Sequence, residues 1–133
     1  MTSAPLVTLY DGRQVPSDHV DWMHECEARM VLAMPMVERV EFLNKVAKIR
    51  KHDGLMALKR RCHEIEPYFV LDLPDKAARN AYAARVAERF GVEARDALQA
   101  KVRAIWEARK AAIASASQDA AQLSNETGLA GSQ

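Results

Sequence analysis

Hydrophobic and polar residues along this chain of 133 residues follow two rhythms, a short alternating one and then a long helical one. Leu6-Val7-Thr8-Leu9-Tyr10 and Arg13-Gln14-Val15-Pro16 flank Asp11-Gly12, which predicts a tight β-hairpin with positive φ at both turn residues. Pro16 truncates the second strand, so the hairpin is a small flap and not a sheet core. Ser17 is placed to cap a first helix, and Val20, Met23, Cys26 (or Glu27), Met30 and Met34 form its apolar stripe up to Pro35. A second helix is expected over 36–50, with Val40, Leu43, Val46 and Ala47 on one face, before His52-Asp53-Gly54 breaks it. Leu55, Leu58, Cys62 and Ile65 mark a third, which ends before Pro67 and leaves Tyr68 to Leu73 as an extended connector. Pro74 opens a fourth helix carrying Ala78, Tyr82, Val86 and Phe90, and Gly91 caps it with a left-handed residue. A last helix is expected over 92–117, turning Leu98, Val102, Ile105 and Trp106 inward. Residues 118–133 lose the stripe and read as a frayed, disordered tail.

Shifting the chain against itself by 40 positions superimposes two of these units. Arg39, Val46, Ala47, Leu58 and Ile65 fall on Arg79, Val86, Ala87, Leu98 and Ile105, and Phe42 falls on Tyr82. Two readings stand: a true repeat, or the resemblance that any two amphipathic hairpins share. Both give the same architecture. The fold class is all-α, a compact bundle of about five helices in a single domain over 1–117. It comprises a β-hairpin flap (6–16), a first helix (17–34), a basic helical hairpin (35–66) and a second helical hairpin (74–117).

Composition narrows the class without naming a function. Apolar residues make up 49% and charged residues 28%, an ordinary globular balance. No apolar run is long enough to span a membrane, and Met1-Thr2-Ser3-Ala4-Pro5 lacks the features of a secretory signal. Two cysteines make no disulfide framework, so a reducing cytoplasm is expected. The net charge of +1 hides a strong polarity. Between Asn44 and His63 lie Lys45, Lys48, Arg50, Lys51, Lys59, Arg60 and Arg61 against Asp53 alone, a local charge of +6. The segment from Asp11 to Glu41 carries −4. Such a basic hairpin suits nucleic-acid phosphates through counterion release, or an acidic protein surface through charge complementarity; a solvated face balanced by the acidic helix is the plain alternative. Base-specific readout is disfavoured, because the third helix offers lysine and arginine without the usual Asn or Gln.

No catalytic or metal-binding pattern emerges. His24, Cys26, Cys62 and His63 have the right chemistry for zinc but the wrong spacing, since residues two apart on a helix point to opposite sides. The carboxylates of Asp18, Asp21, Glu25 and Glu27 suit the positive end of a helix, with no nucleophile beside them. The expectation is therefore a protein that is not an enzyme, with no cofactor and no metal. Trp22 and Trp106 read as core, although an exposed Trp22 beside Tyr10 would make a hydrophobic contact for a protein partner.

The run Trp22-Met23-His24-Glu25-Cys26-Glu27-Ala28-Arg29, with Asp11-Gly12-Arg13 before it and Met34-Pro35 and Ile105-Trp106-Glu107-Ala108-Arg109 after it, resembles small uncharacterised proteins of tailed phages and prophages. The resemblance covers roughly residues 7–110, and it implies a small accessory protein at work in the cytoplasm of a bacterial host. On that basis the expected function is binding to a host protein or nucleoprotein complex, as an inhibitor of a nucleic-acid-targeting antiviral system. A nucleic-acid-associated regulator using residues 45–61 is the alternative, and a structural module that homodimerises through the first helix is the third reading.

Overall fold

The computed structural model describes the backbone of residues 4–131 and the side chains up to residue 122. Strands β1 (Leu6–Thr8) and β2 (Gln14–Pro16) pair antiparallel with Val7 opposite Val15. Their turn is wider than Asp11-Gly12 predicts. Only Gly12 has positive φ, the Gly12 amide donates to the Leu9 carbonyl, and the Leu9 amide donates to the Arg13 carbonyl. A three-residue loop of this kind needs one left-handed residue where the two-residue turn needs two.

Helix α1 (Val20–Ala33) starts two residues later than Ser17 would start it. His19 is its cap, and its Nδ1 accepts from the Asp21 amide at 3.0 Å. The buried face of α1 is also rotated from the expected stripe. Glu25, Ala28, Val31 and Leu32 face inward, while Val20, Met23, Cys26 and Met30 are exposed. Ala28, with no exposure, lets α1 sit close on Ile65 of the following helix, beside Leu32. Glu25, 3% exposed, accepts the Tyr10 amide at 2.6 Å and Arg29 Nε at 3.1 Å, so its carboxylate anchors the flap.

Helix α2 (Met36–Leu71) is one element that reverses direction at Lys51, the single residue with non-helical backbone inside it (φ 64°, ψ −174°). Phe42 and Cys62 would lie about 30 Å apart in a straight helix at roughly 1.5 Å per residue, yet both pack on one cluster formed by Val31, Val46 and Leu58. The break thus falls before His52-Asp53-Gly54, and Gly54 is helical. Pro67 does not end the helix either. An internal proline costs about 3 kcal/mol, but continuing to Leu71 places Val70 and Phe69 in the core, where Phe69 joins two apolar clusters. The expected extended connector is therefore helical, and Asp72 caps it.

Helix α3 (Lys76–Phe90) begins at Asp75 rather than Pro74, the Asp75 side chain accepting from the Ala78 amide at 2.7 Å. It ends at Gly91 (φ 100°, ψ 165°), and α4 (Val92–Gly131) returns alongside it. The two hairpins correspond at two core positions and at their pivots. Val46 and Leu58 are buried together in the first, Val86 and Leu98 in the second. The pivots Lys51 and Gly91 lie 40 positions apart and share a positive-φ, extended-ψ backbone. Helix α4 continues past residue 117, where a disordered tail was expected; its alanines, Ala111 to Ala121, favour helix without tertiary support. Residues 118–122 are exposed, and 132–133 lie outside the described residues. Asp72 ties the bundle together on one side, meeting Arg29 of α1 and Arg109 of α4. The architecture is thus an all-α bundle of four helices, one of them folded double, with the β-hairpin flap at its N-terminus. No helix among the described residues is long and apolar enough to cross a membrane.

Candidate binding cleft

The basic residues of the first hairpin do not form one patch. Arg50 makes a two-pronged ion pair with Glu27 of α1, at 2.8 and 2.6 Å, and Arg61 reaches the same carboxylate at 3.9 Å. One acid therefore neutralises part of each arm. Lys45, Lys48, Lys51, Lys59 and Arg60 are exposed, and none has a carboxylate partner among the described residues. On the second arm the three consecutive cations diverge, as a helix requires. Lys59 lines a cleft toward α4, Arg61 lines a small depression beneath the flap, and Arg60 lines neither.

Hydrogen bonding to Arg50, reinforced by the charge of Arg61, holds the Glu27 carboxyl below its ordinary value of 4.5. A carboxyl that binds its proton less readily when folded stabilises the fold above its unfolded pKa, and that contribution disappears as pH falls through the lowered folded value. Glu27→Gln is accordingly expected to lower stability at neutral pH while narrowing the gap to wild type below about pH 4, checked by urea unfolding across that range.

Tyr10 is built into the fold, whereas Trp22 is only half-buried. The Tyr10 ring meets Tyr68 edge-on at 5.2 Å and packs on the Ala28–Leu32–Ile65 cluster, with its hydroxyl donating to Glu64 at 3.3 Å. Burial, then the Glu64 charge, raises the Tyr10 phenol pKa. Trp22 is half-buried, whereas Trp106, expected in the core, is 49% exposed with Lys110 Nζ 5.8 Å from its ring centre. Cys26 is exposed on α1 and Cys62 is half-buried against two core clusters. Burial pushes the Cys62 thiol up to about 11, so it is protonated at neutral pH and a poor nucleophile or ligand.

A concave feature lies between the two helical hairpins. It is a cleft of about 540 Å³ walled by Val31, Leu32 and Leu43 on one side and by Val86, Ala94, Ala97 and Leu98 on the other. Arg39, Lys59, Arg89 and Lys101 line it, against Glu66 as the one carboxylate in the lining. Glu66 is engaged by the Tyr82 hydroxyl, which donates to it, and burial followed by the Glu66 charge drives the Tyr82 phenol pKa strongly upward. Arg39 Nη2 donates to the Leu32 carbonyl at 2.9 Å and to Tyr82 at 3.4 Å, while its buried Nε has no partner. Across the opening, Lys101 Nζ and His63 Nε2 stand 3.3 Å apart, joining α4 to α2. The arrangement can hold an anionic partner with an apolar face.

Sequence reading found Lys59 of this cleft and missed Arg39, His63, Arg89 and Lys101. Lys59 and His63 are four apart on α2, and Ala94, Ala97 and Lys101 follow the same spacing on α4, so each set shares a face. The docking of the two hairpins, which makes one site of them, leaves no comparable mark.

No curated protein and no solved structure matches the chain. A family described as "Family of unknown function (DUF7696)" matches residues 15–67 and again 59–109, two stretches that meet on the second arm of α2. Together they take in every residue lining the cleft and both hairpin pivots, about 70% of the chain. The chain therefore belongs to the DUF7696 family.

Proposed function

We propose that this protein is a non-enzymatic phage or prophage accessory protein that binds a host macromolecular complex in the bacterial cytoplasm and blocks a nucleic-acid-targeting defence system. The phage setting rests on the resemblance of the Trp22–Arg29 and Ile105–Arg109 segments. Binding is supported by one observation above all: Lys45, Lys48, Lys51, Lys59 and Arg60 are exposed without carboxylate partners among the described residues, while Arg13, Arg29, Arg50, Arg61 and Arg109 are paired. Unpaired surface cations raise association rate and select acidic partners. Their divergence around the hairpin suits a contoured protein surface better than the regular line of phosphates on a nucleic acid.

The test is affinity capture from host lysate treated with nuclease, using the wild type and Lys45→Glu/Lys48→Glu/Arg60→Glu. A defined multi-subunit complex recovered by the wild type and lost with the variant is expected. No captured complex, together with direct binding of purified generic DNA whose affinity falls steeply with salt by roughly 0.9 power per phosphate contacted, makes the protein the nucleic-acid regulator. Self-association is the other reading with an observation behind it. Val20, Met23 and Met30, 54%, 61% and 46% exposed, form an apolar stripe on α1, and a dimer that Met23→Glu/Met30→Glu converts to monomer in sedimentation would establish it.

A further inference from the structure

We propose that the cleft between the two hairpins receives an acidic amphipathic α-helix supplied by the partner protein; this rests on the partner-binding reading above. The charge of the occupant follows from the lining. Lys59, Arg89 and Lys101 have no carboxylate partner among the described residues. Glu66 is already taken by Tyr82. An anionic face entering here meets three uncompensated cations, with the His63 ring beside Lys101.

The shape of the occupant follows from the walls. They are helices whose backbone groups are bonded internally, so the cleft offers no open strand edge on which an extended peptide can satisfy its own amides. A helix brings its backbone bonds with it. The walls run along residues 59–67 of α2 and 94–101 of α4, about two turns each, or roughly 11 Å at 1.5 Å per residue. Ala94 and Ala97 leave the α4 wall shallow enough for close approach by another helix. Phe90 and Val40, 61% and 39% exposed, stand in the lining as apolar surface that a small ligand at the floor would leave in water. A helix presenting leucines at i, i+3, i+4 and i+7 covers them, with its glutamates directed to the lysines.

The probe is a fluorescein-labelled synthetic helix with leucines on one face and glutamates on the other, followed by anisotropy against the intact protein. Saturable binding is expected, weakened about tenfold or more by Lys59→Glu/Lys101→Glu and by raised salt. Ala97→Trp, at an exposed position in the wall, is expected to abolish binding by filling the cleft while leaving the melting temperature near that of wild type. Absence of binding overturns the proposal, as does equal affinity for a lysine-for-glutamate version of the peptide or for a proline-broken one. Binding of dodecanoate without binding of the helix overturns it too, and makes the cleft a small-molecule pocket. Captured host complex that survives Ala97→Trp overturns the cleft's role but leaves partner binding standing; loss of capture only in the Lys45/Lys48/Arg60 variant moves the contact to the hairpin surface.

Discussion

Leu58→Ala is expected to destabilise the protein by about 3–4 kcal/mol, in the middle of the range for a fully buried leucine. Leu58 has no exposure and stands where three rods meet, against Val31 of α1 and Val46 of the first arm of α2. Removing three carbons there loses their transfer energy and leaves a cavity. Collapse into that cavity is restricted on two sides. The arms cannot slide past each other because they are joined through the single residue Lys51, and Arg50 and Arg61 clamp both arms to Glu27 of α1. For a chain of this size the loss corresponds to a fall of about 10–15 °C in Tm. Thermal unfolding by circular dichroism measures it, with Ile113→Ala as the control. Ile113 is 68% exposed on the free length of α4, and its truncation is expected to change stability by less than about 0.5 kcal/mol. A loss below about 1.5 kcal/mol for Leu58→Ala would mean that the arms are not packed through this residue.

The positions that were legible in the sequence are those where burial and helical period agree. Leu58, Ile65, Tyr82, Val86 and Leu98 all lie inward as their spacing predicts. The phase of α1 was not legible, for a definite reason. Periodicity weighs residues by apolar size, and Val20, Met23 and Met30 outweigh Ala28. Ala28 is nevertheless the innermost residue of that helix, because a small side chain permits close approach. Glu25 is buried for its hydrogen bonds to the flap and to Arg29, a pairing across 15 residues in the first case that no local pattern encodes. Pro67 shows tertiary burial overriding a local rule. The tail shows the opposite, a segment without an apolar stripe held helical by its alanines. The cleft lay furthest from sequence, since it exists only once two hairpins that are each complete in themselves are docked.

Gly54→Ala is expected to cost about 2–3 kcal/mol, against the usual direction for this change within a helix, where alanine is favoured by about 1 kcal/mol. Gly54 has ordinary helical backbone; its need for glycine is one of space. A Cβ at this position would overlap the Cβ of Arg50, which is backbone-fixed and cannot swing away like the end of a long side chain. The overlap is produced by the reversal at Lys51, whose φ of 64° with ψ of −174° lies in a region that essentially only glycine occupies at ease. The second hairpin shows the same turn built differently. Gly91, 40 positions on from Lys51, opens to φ 100°, and Ala94, 40 on from Gly54, is accommodated there. Lys51→Gly is therefore expected to stabilise the protein by about 1–2 kcal/mol by relieving the strain of a side chain at positive φ. It also frees the first pivot to adopt the wider angle of the second, which draws Arg50 away from residue 54. In the Lys51→Gly background the cost of Gly54→Ala should fall below about 1 kcal/mol, a coupling of at least about 1 kcal/mol in a double-mutant cycle. Urea unfolding of the four proteins measures it. Additive effects would show that the pivot and the glycine act independently, and that the two hairpins share a spacing without sharing the mechanics of their turns.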